Sequence, residues 1–177
     1  MENETLQTPV TMDSLSSAQQ SFLKKMLNPM NFALFTATSV PAGFIAGMRL
    51  KSLNTERCET TIPFKFLNKN PFRSIYFAVQ SMAAELSTAA MALLAIQGLS
   101  PSVAFIIVAN EATYEKKATG KVTFTCEDGP QIFEAVRKCI ETGEATTVKA
   151  KTVGKMANGQ VVSTFWFTWS FKQRSKK

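Results

Sequence analysis

The chain has no histidine among its 177 residues. That absence removes Ser-His-Asp triads, Cys-His dyads, histidine-ligated metals and imidazole acid–base chemistry together. Any chemistry must use carboxylates, hydroxyls, amides, thiols or lysines. Cysteine is scarce as well: Cys58, Cys126 and Cys139 are odd in number, far apart and form no CxxC pair. This argues against a disulfide framework and a cysteine-rich zinc site, reads as buried structural thiols, and predicts a reduced, cytoplasmic setting. No metal site and no cofactor are expected. The opening "MENETLQTPVTMDS" is acidic and polar and lacks the basic and apolar regions of a signal peptide. Around Lys121, "TGKV" lacks the upstream glycine and the following Ser or Thr of a phosphate-binding loop. There is no internal repeat, low-complexity tract or linker.

What is present is length for one domain with a real core, ordinary apolar content and a net charge of +7. The charge favours anionic partners: nucleic acid, a phosphorylated cofactor or substrate, or an acidic membrane surface. The basic residues are scattered and no nucleic-acid motif is recognisable, so no nucleic-acid partner is expected. Residues 1–13 are expected to form a flexible N-terminus, 14–172 a single domain and 173–177 a basic, solvated tail.

Periodicity orders the elements. Ser14 to Leu27 predicts an amphipathic helix, capped by Asp13 or Ser14 and ended by Pro29. Gly43 to Lys51 and Arg57 to Phe66 alternate as a hairpin with one wet face, Pro63 marking an edge or bulge. A long helix is predicted from about Ile75 to Gln97, a strand from Val103 to Tyr114 and another from Lys121 to Cys126. A short helix fits Pro130 to Thr142. The last hairpin, Ala145 to Val153 and Gln160 to Lys172, turns at Asn158-Gly159. The result is an α+β fold in which a mainly antiparallel sheet buries one long helix.

From Ile75 to Gln97 the only charged residue is Glu85. A carboxylate there costs free energy unless it is paired, hydrated or used. A membrane span is not expected, because glutamate near the middle of a lone span costs roughly 2–3 kcal/mol or more. Ala78, Ser81, Met82, Glu85, Thr88 and Ala89 share one helix face of small, faintly polar character. That face either pairs Glu85 with a lysine, with Ser81 or with backbone amides, or leaves room for a ligand. The helix start offers backbone N–H groups to an anion or oxyanion. Asn68 and Asn70, in the loop before it, serve as turn residues or as groups that position water.

Asn70 and Glu85 also carry a family likeness. The combination resembles the hotdog-fold thioesterases, and within them a bacterial branch near the phenylacetate-pathway-type enzymes. Those proteins carry an asparagine, a glycine three residues on, a His-Gly-Gly helix start, and an Asp or Glu nine residues after the histidine. Here Asn70 and Glu85 match the asparagine and the acid; Arg73 stands for the first glycine, Tyr76 for the histidine, and Phe77 and Ala78 for the glycine pair. The resemblance implies a hotdog fold: a sheet of five to six antiparallel strands wrapped around one central helix. Here the N-terminal helix is extra and a short helix precedes the last hairpin. It implies a homodimer or homotetramer with its sites at the dimer interface, hydrolysing an acyl thioester such as acyl-CoA. Glu85 would be the acid, Asn70 the orienting amide and the N–H of Phe77 or Ala78 the oxyanion donor. Tyr76, Ser81, Thr88 and Arg73 would contact substrate, with Lys149, Lys151 and Lys155 near the rim for phosphates. The lost glycines and histidine motivate the alternative, a non-catalytic acyl-CoA or fatty-acid binder.

Overall fold

Three prolines shape the N-terminal third of the computed structural model, which describes residues 15–174. Helix α1 (Ser17–Leu27) is closed by a capping box: the Ser16 hydroxyl accepts the Gln19 N–H, and the Gln19 side chain accepts the Ser16 N–H. Ser16 is thus the cap, while Asp13 and Ser14 lie outside the described residues. Pro29 does more than end α1. It is the first residue of helix α2 (Pro29–Ser39), capped by the Asn28 side-chain oxygen, which accepts the N–H groups of Met30 and Asn31, and Pro41 opens helix α3 (Pro41–Ala46). Proline has no N–H to lose at such positions. The strand expected from Gly43 is therefore corrected: its alternating pattern overlies a helix that stops at Gly47 (φ 78°), and strand β1 is Arg49–Leu53.

Strand β2 (Cys58–Ile62) pairs antiparallel with β1 and is shorter than expected, because Pro63 cannot continue the ladder. Helix α4 (Phe77–Ala95) follows, then β3 (Val103–Tyr114), β4 (Val122–Cys126), α5 (Gly129–Thr142), β5 (Thr146–Met156) and β6 (Val161–Gln173). The expected tail boundary shifts slightly, since β6 runs through Gln173; residues 175–177 and the expected flexible segment 1–13 lie outside the described residues. The six strands form one sheet in the order β1-β2-β4-β5-β6-β3, every neighbour antiparallel. Strand β3 pairs only with β6 and forms one edge.

Helix α4 lies on the sheet's inner face. Ala83, Ala84, Ala90 and Ala92 are fully buried, and their small size lets the backbone approach closely. Polar contacts fix the helix over the strands. Gln80 accepts from Ser163 of β6 (2.8 Å) and Thr60 of β2 donates to the Ala83 carbonyl (2.6 Å). Ser87 donates to Thr152 of β5 (2.8 Å), and the Trp169 indole of β6 donates to Thr88 (2.9 Å). Each contributes roughly 1 kcal/mol net and costs more if half-broken. By length and composition alone α4 could cross a membrane, but most of it is buried inside this molecule. All three cysteines are free and buried, as expected. Burial pushes Cys126 up to about 12 and raises Cys58 well above the ordinary thiol value, which leaves both as unreactive thiols.

Candidate functional site at the start of the central helix

The approach to α4 is a tight turn. Lys69 and Ile75 bridge antiparallel, the Asn70 N–H donates to the Ser74 carbonyl (2.9 Å) and the Arg73 N–H donates to the Asn70 carbonyl (3.1 Å). The Asn70 side-chain oxygen accepts from the N–H groups of Phe72 and Ser74 and from the Ser74 hydroxyl. Asn70 thus organises its own turn, and only its amide NH2 remains uncommitted among the described residues. Arg73 sits at φ 58°, in the left-handed region. Glycine adopts that conformation freely, whereas the arginine bears a cost of about 1 kcal/mol. Asn68 is buried behind the turn: its NH2 donates to the carbonyls of Ala46 (2.8 Å) and Pro63 (2.7 Å), and its backbone oxygen accepts the Tyr76 N–H (2.7 Å). Its side-chain oxygen is buried without a partner among the described residues. Asn68 therefore locks the helix entry to α3.

At the helix start, Tyr76 is the N-cap but supplies no side-chain cap. Its carbonyl accepts the N–H groups of Val79 and Gln80. The N–H groups of Phe77 and Ala78 meet no acceptor among the described residues. The Tyr76 and Phe77 rings are exposed and meet edge to face at 4.7 Å. The result is a pair of free donors at the positive end of a 19-residue helix.

Glu85 lies two turns beyond Ala78 on the same face, about 10 Å along the axis. It is half-buried, and no hydrogen bond or ion pair reaches its carboxylate among the described residues. Removal from water raises the carboxyl to about 7. Glu59, on the outer face of β2, shows the contrast. Burial pushes it up too, but a hydrogen bond from Lys51, the charges of Arg57 and Lys51, and Ser52 outweigh this and leave it lowered. Ser81 stands one turn before Glu85, with its hydroxyl unengaged among the described residues.

The structure separates other expected residues from this face. Thr88 is fully buried and bonded to Trp169, so it faces the sheet rather than the Glu85 stripe. Thr152 faces α4, so Lys149, Lys151 and Lys155 project from the opposite, outer face of β5. There Lys149 pairs with Glu111 (2.7 Å) and Lys151 lies over the Trp166 ring. They do not form a rim around Glu85. Sequence reasoning missed Gln80 and Ser87, which position α4, and the exposure of Phe66, Leu67 and Phe72 beside the helix start. A signal for the last group was legible: no acid occurs between Glu59 and Glu85. Among the described residues no three Cys, Asp or Glu side chains gather as a metal site.

Residues 31–171 match a family described as a domain of unknown function (DUF4442). No curated protein is significantly similar to the chain. Among solved structures, a Pseudomonas aeruginosa protein of unknown function, called a probable thioesterase, is 18% identical with a TM-score of 0.71, the match covering 85% of this chain and 99% of that one. A Chlorobaculum tepidum protein of unknown function is 13% identical with a TM-score of 0.68, covering 84% and 99%. A Haemophilus influenzae thioesterase is 15% identical with a TM-score of 0.57, covering 86% and 95%. These likenesses establish the hotdog fold, and none bears on the phenylacetate-type branch.

Proposed function

Since the chain belongs to the DUF4442 family and folds as hotdog proteins do, we propose that it hydrolyses acyl thioesters, with Glu85 as general base. The observation that carries this reading is the half-buried Glu85 carboxylate, without a partner among the described residues and raised to about 7, on the same helix face as N–H donors that meet no acceptor among those residues. A base titrating near neutrality is well matched to proton transfer. Glu85 takes a proton from water, the oxygen attacks the thioester carbonyl carbon, and the oxyanion forms against the Phe77 or Ala78 N–H. Cleavage of the C–S bond then releases thiolate, which recovers the proton.

Within one chain, about 10 Å separates base from oxyanion donors, whereas both must lie about 3 Å from the reacting group. Two copies with antiparallel central helices solve this: Glu85 of one protomer meets the helix start of the other. The free edge β3 supplies a route for that pairing, as Ile106, Val108 and Tyr114 are exposed along it. Acyl-CoA is the proposed substrate, with Arg73 and Tyr76 at the mouth and Ser81 beside the base. The free, buried cysteines fit a cytoplasmic setting.

A second reading, a non-catalytic acyl binder, is favoured by the Asn70 side-chain oxygen being committed to its own turn. Thiol release from acyl-CoAs of varied chain length separates the two. Hydrolysis is expected, with kcat/KM lowered about 10²–10⁴-fold in Glu85→Gln. Turnover unchanged in that variant would end the mechanism, and binding without turnover in the wild type would establish the binder.

A further inference from the structure

Among the described residues, all exposed large apolar side chains except Ile106, Val108 and Tyr114 of β3 fall between Leu27 and Phe77. Phe72 is 71% exposed at the apex of the Asn70–Ser74 turn, and Phe66 and Leu67 are 77% and 65% exposed beside it. Lys65 donates to the Ile45 carbonyl (2.7 Å), which joins this loop to exposed Phe44 and Ile45 of α3. Cations are interleaved: Lys65, Lys69, whose ammonium lies 4.4 Å from the Phe66 ring centroid, and Arg73 next to Phe72. No acid occurs between Asp13 and Glu56 or between Glu59 and Glu85. The surface is thus apolar at its tips and positive between them, with no acid from either stretch.

We infer that this surface docks the protein onto an anionic phospholipid bilayer. Scattered apolar tips enter the headgroup boundary, while lysine and arginine stay at the phosphate level. A second copy of the chain is a poor occupant. An isologous contact would set Lys65, Lys69 and Arg73 against one another with no acid between them. The left-handed arginine fits the same use, because a charge is kept at the turn apex where glycine would be less strained.

The test is co-sedimentation of the full chain with vesicles of phosphatidylcholine alone or mixed with phosphatidylglycerol, at low and high salt. Partitioning onto the mixed vesicles is expected, lost at high salt and near zero on phosphatidylcholine alone. Lys69→Gln and Arg73→Gly should each weaken it about fivefold at low salt, and Phe72→Ser should weaken it at low salt as well. Lys149→Gln and Lys155→Gln, on the outer sheet face, should leave it unchanged. Arg73→Gly relieves strain, so a loss there is not misfolding. The inference is overturned by no partitioning onto mixed vesicles, by equal losses in the outer-face variants, or by Phe72→Ser lowering the oligomeric mass in light scattering while vesicle binding persists. That last result would make the patch a self-association surface.

Discussion

Glu85 and Glu59 are the same residue type in opposite settings. Glu59 has Lys51 and Arg57 beside it, whereas Glu85 has no partner among the described residues and is raised to about 7. Because its folded-state value lies above the ordinary carboxylate value, folding favours the protonated form. Stability is fully present below about 4.5, falls as pH rises towards about 7, and stays reduced above it. Glu85→Gln should therefore raise stability at pH 8 by roughly 3 kcal/mol while having little effect at pH 4. Urea unfolding at both values checks this, and equal midpoints for wild type and variant at pH 8 would refute it. In the wild type, kcat/KM should rise with pH to a plateau, with a midpoint near 7. At Arg73, glycine should add on the order of 1 kcal/mol of stability, read from the same unfolding curves, because it adopts φ 58° without crowding a Cβ.

At the scale of elements, the sheet curls over α4 by close contacts as well as hydrogen bonds. A Cβ on Gly154 of β5 would stand 2.5 Å from the Phe124 ring of β4, and that ring is fully buried. Gly154→Ala should therefore destabilise the fold by about 1–3 kcal/mol, seen as a lower urea midpoint with an unchanged slope. An unchanged midpoint would mean that the ring has room the packing denies. The element boundaries also show how far pattern alone reaches. Strand β3 runs from Val103 to Tyr114, the bounds expected from the sequence, and α5 starts one residue earlier than predicted, at Gly129. Helices α2 and α3 were not legible, because Phe44, Ala46, Met48 and Leu50 carry a period-2 pattern across a helix, a left-handed glycine and a strand. Pro29, which opens α2, reads in the sequence as the stop of α1.

For the whole molecule, the proposed chemistry requires two copies. Light scattering should give at least twice the 19.5 kDa chain mass. Val108→Lys on the exposed edge β3 should shift the population to monomer and lower hydrolysis in parallel, since Glu85 would lose the partner's helix start. A monomeric wild type with full activity would sink that arrangement. Charge is distributed unevenly as well: Lys65, Lys69 and Arg73 lie among apolar tips near the helix start in a stretch without acids, while Lys149 on the outer sheet face is already paired.

The sequence by itself determined the α+β class, the long helix, its solitary acid and the absence of any imidazole or disulfide chemistry. These are local or compositional properties, written in hydrophobic period and residue type. Only the tertiary structure decided that Thr88 turns to Trp169 while Glu85 has no partner among the described residues, although helix spacing puts both on one face. It also decided that Lys149, Lys151 and Lys155 face away from the site, and that Asn70 spends its oxygen on its own turn. The reason is physical: a helix fixes which residues neighbour one another along it, but strand order and register decide what stands opposite each one, and those are set by packing across the whole chain.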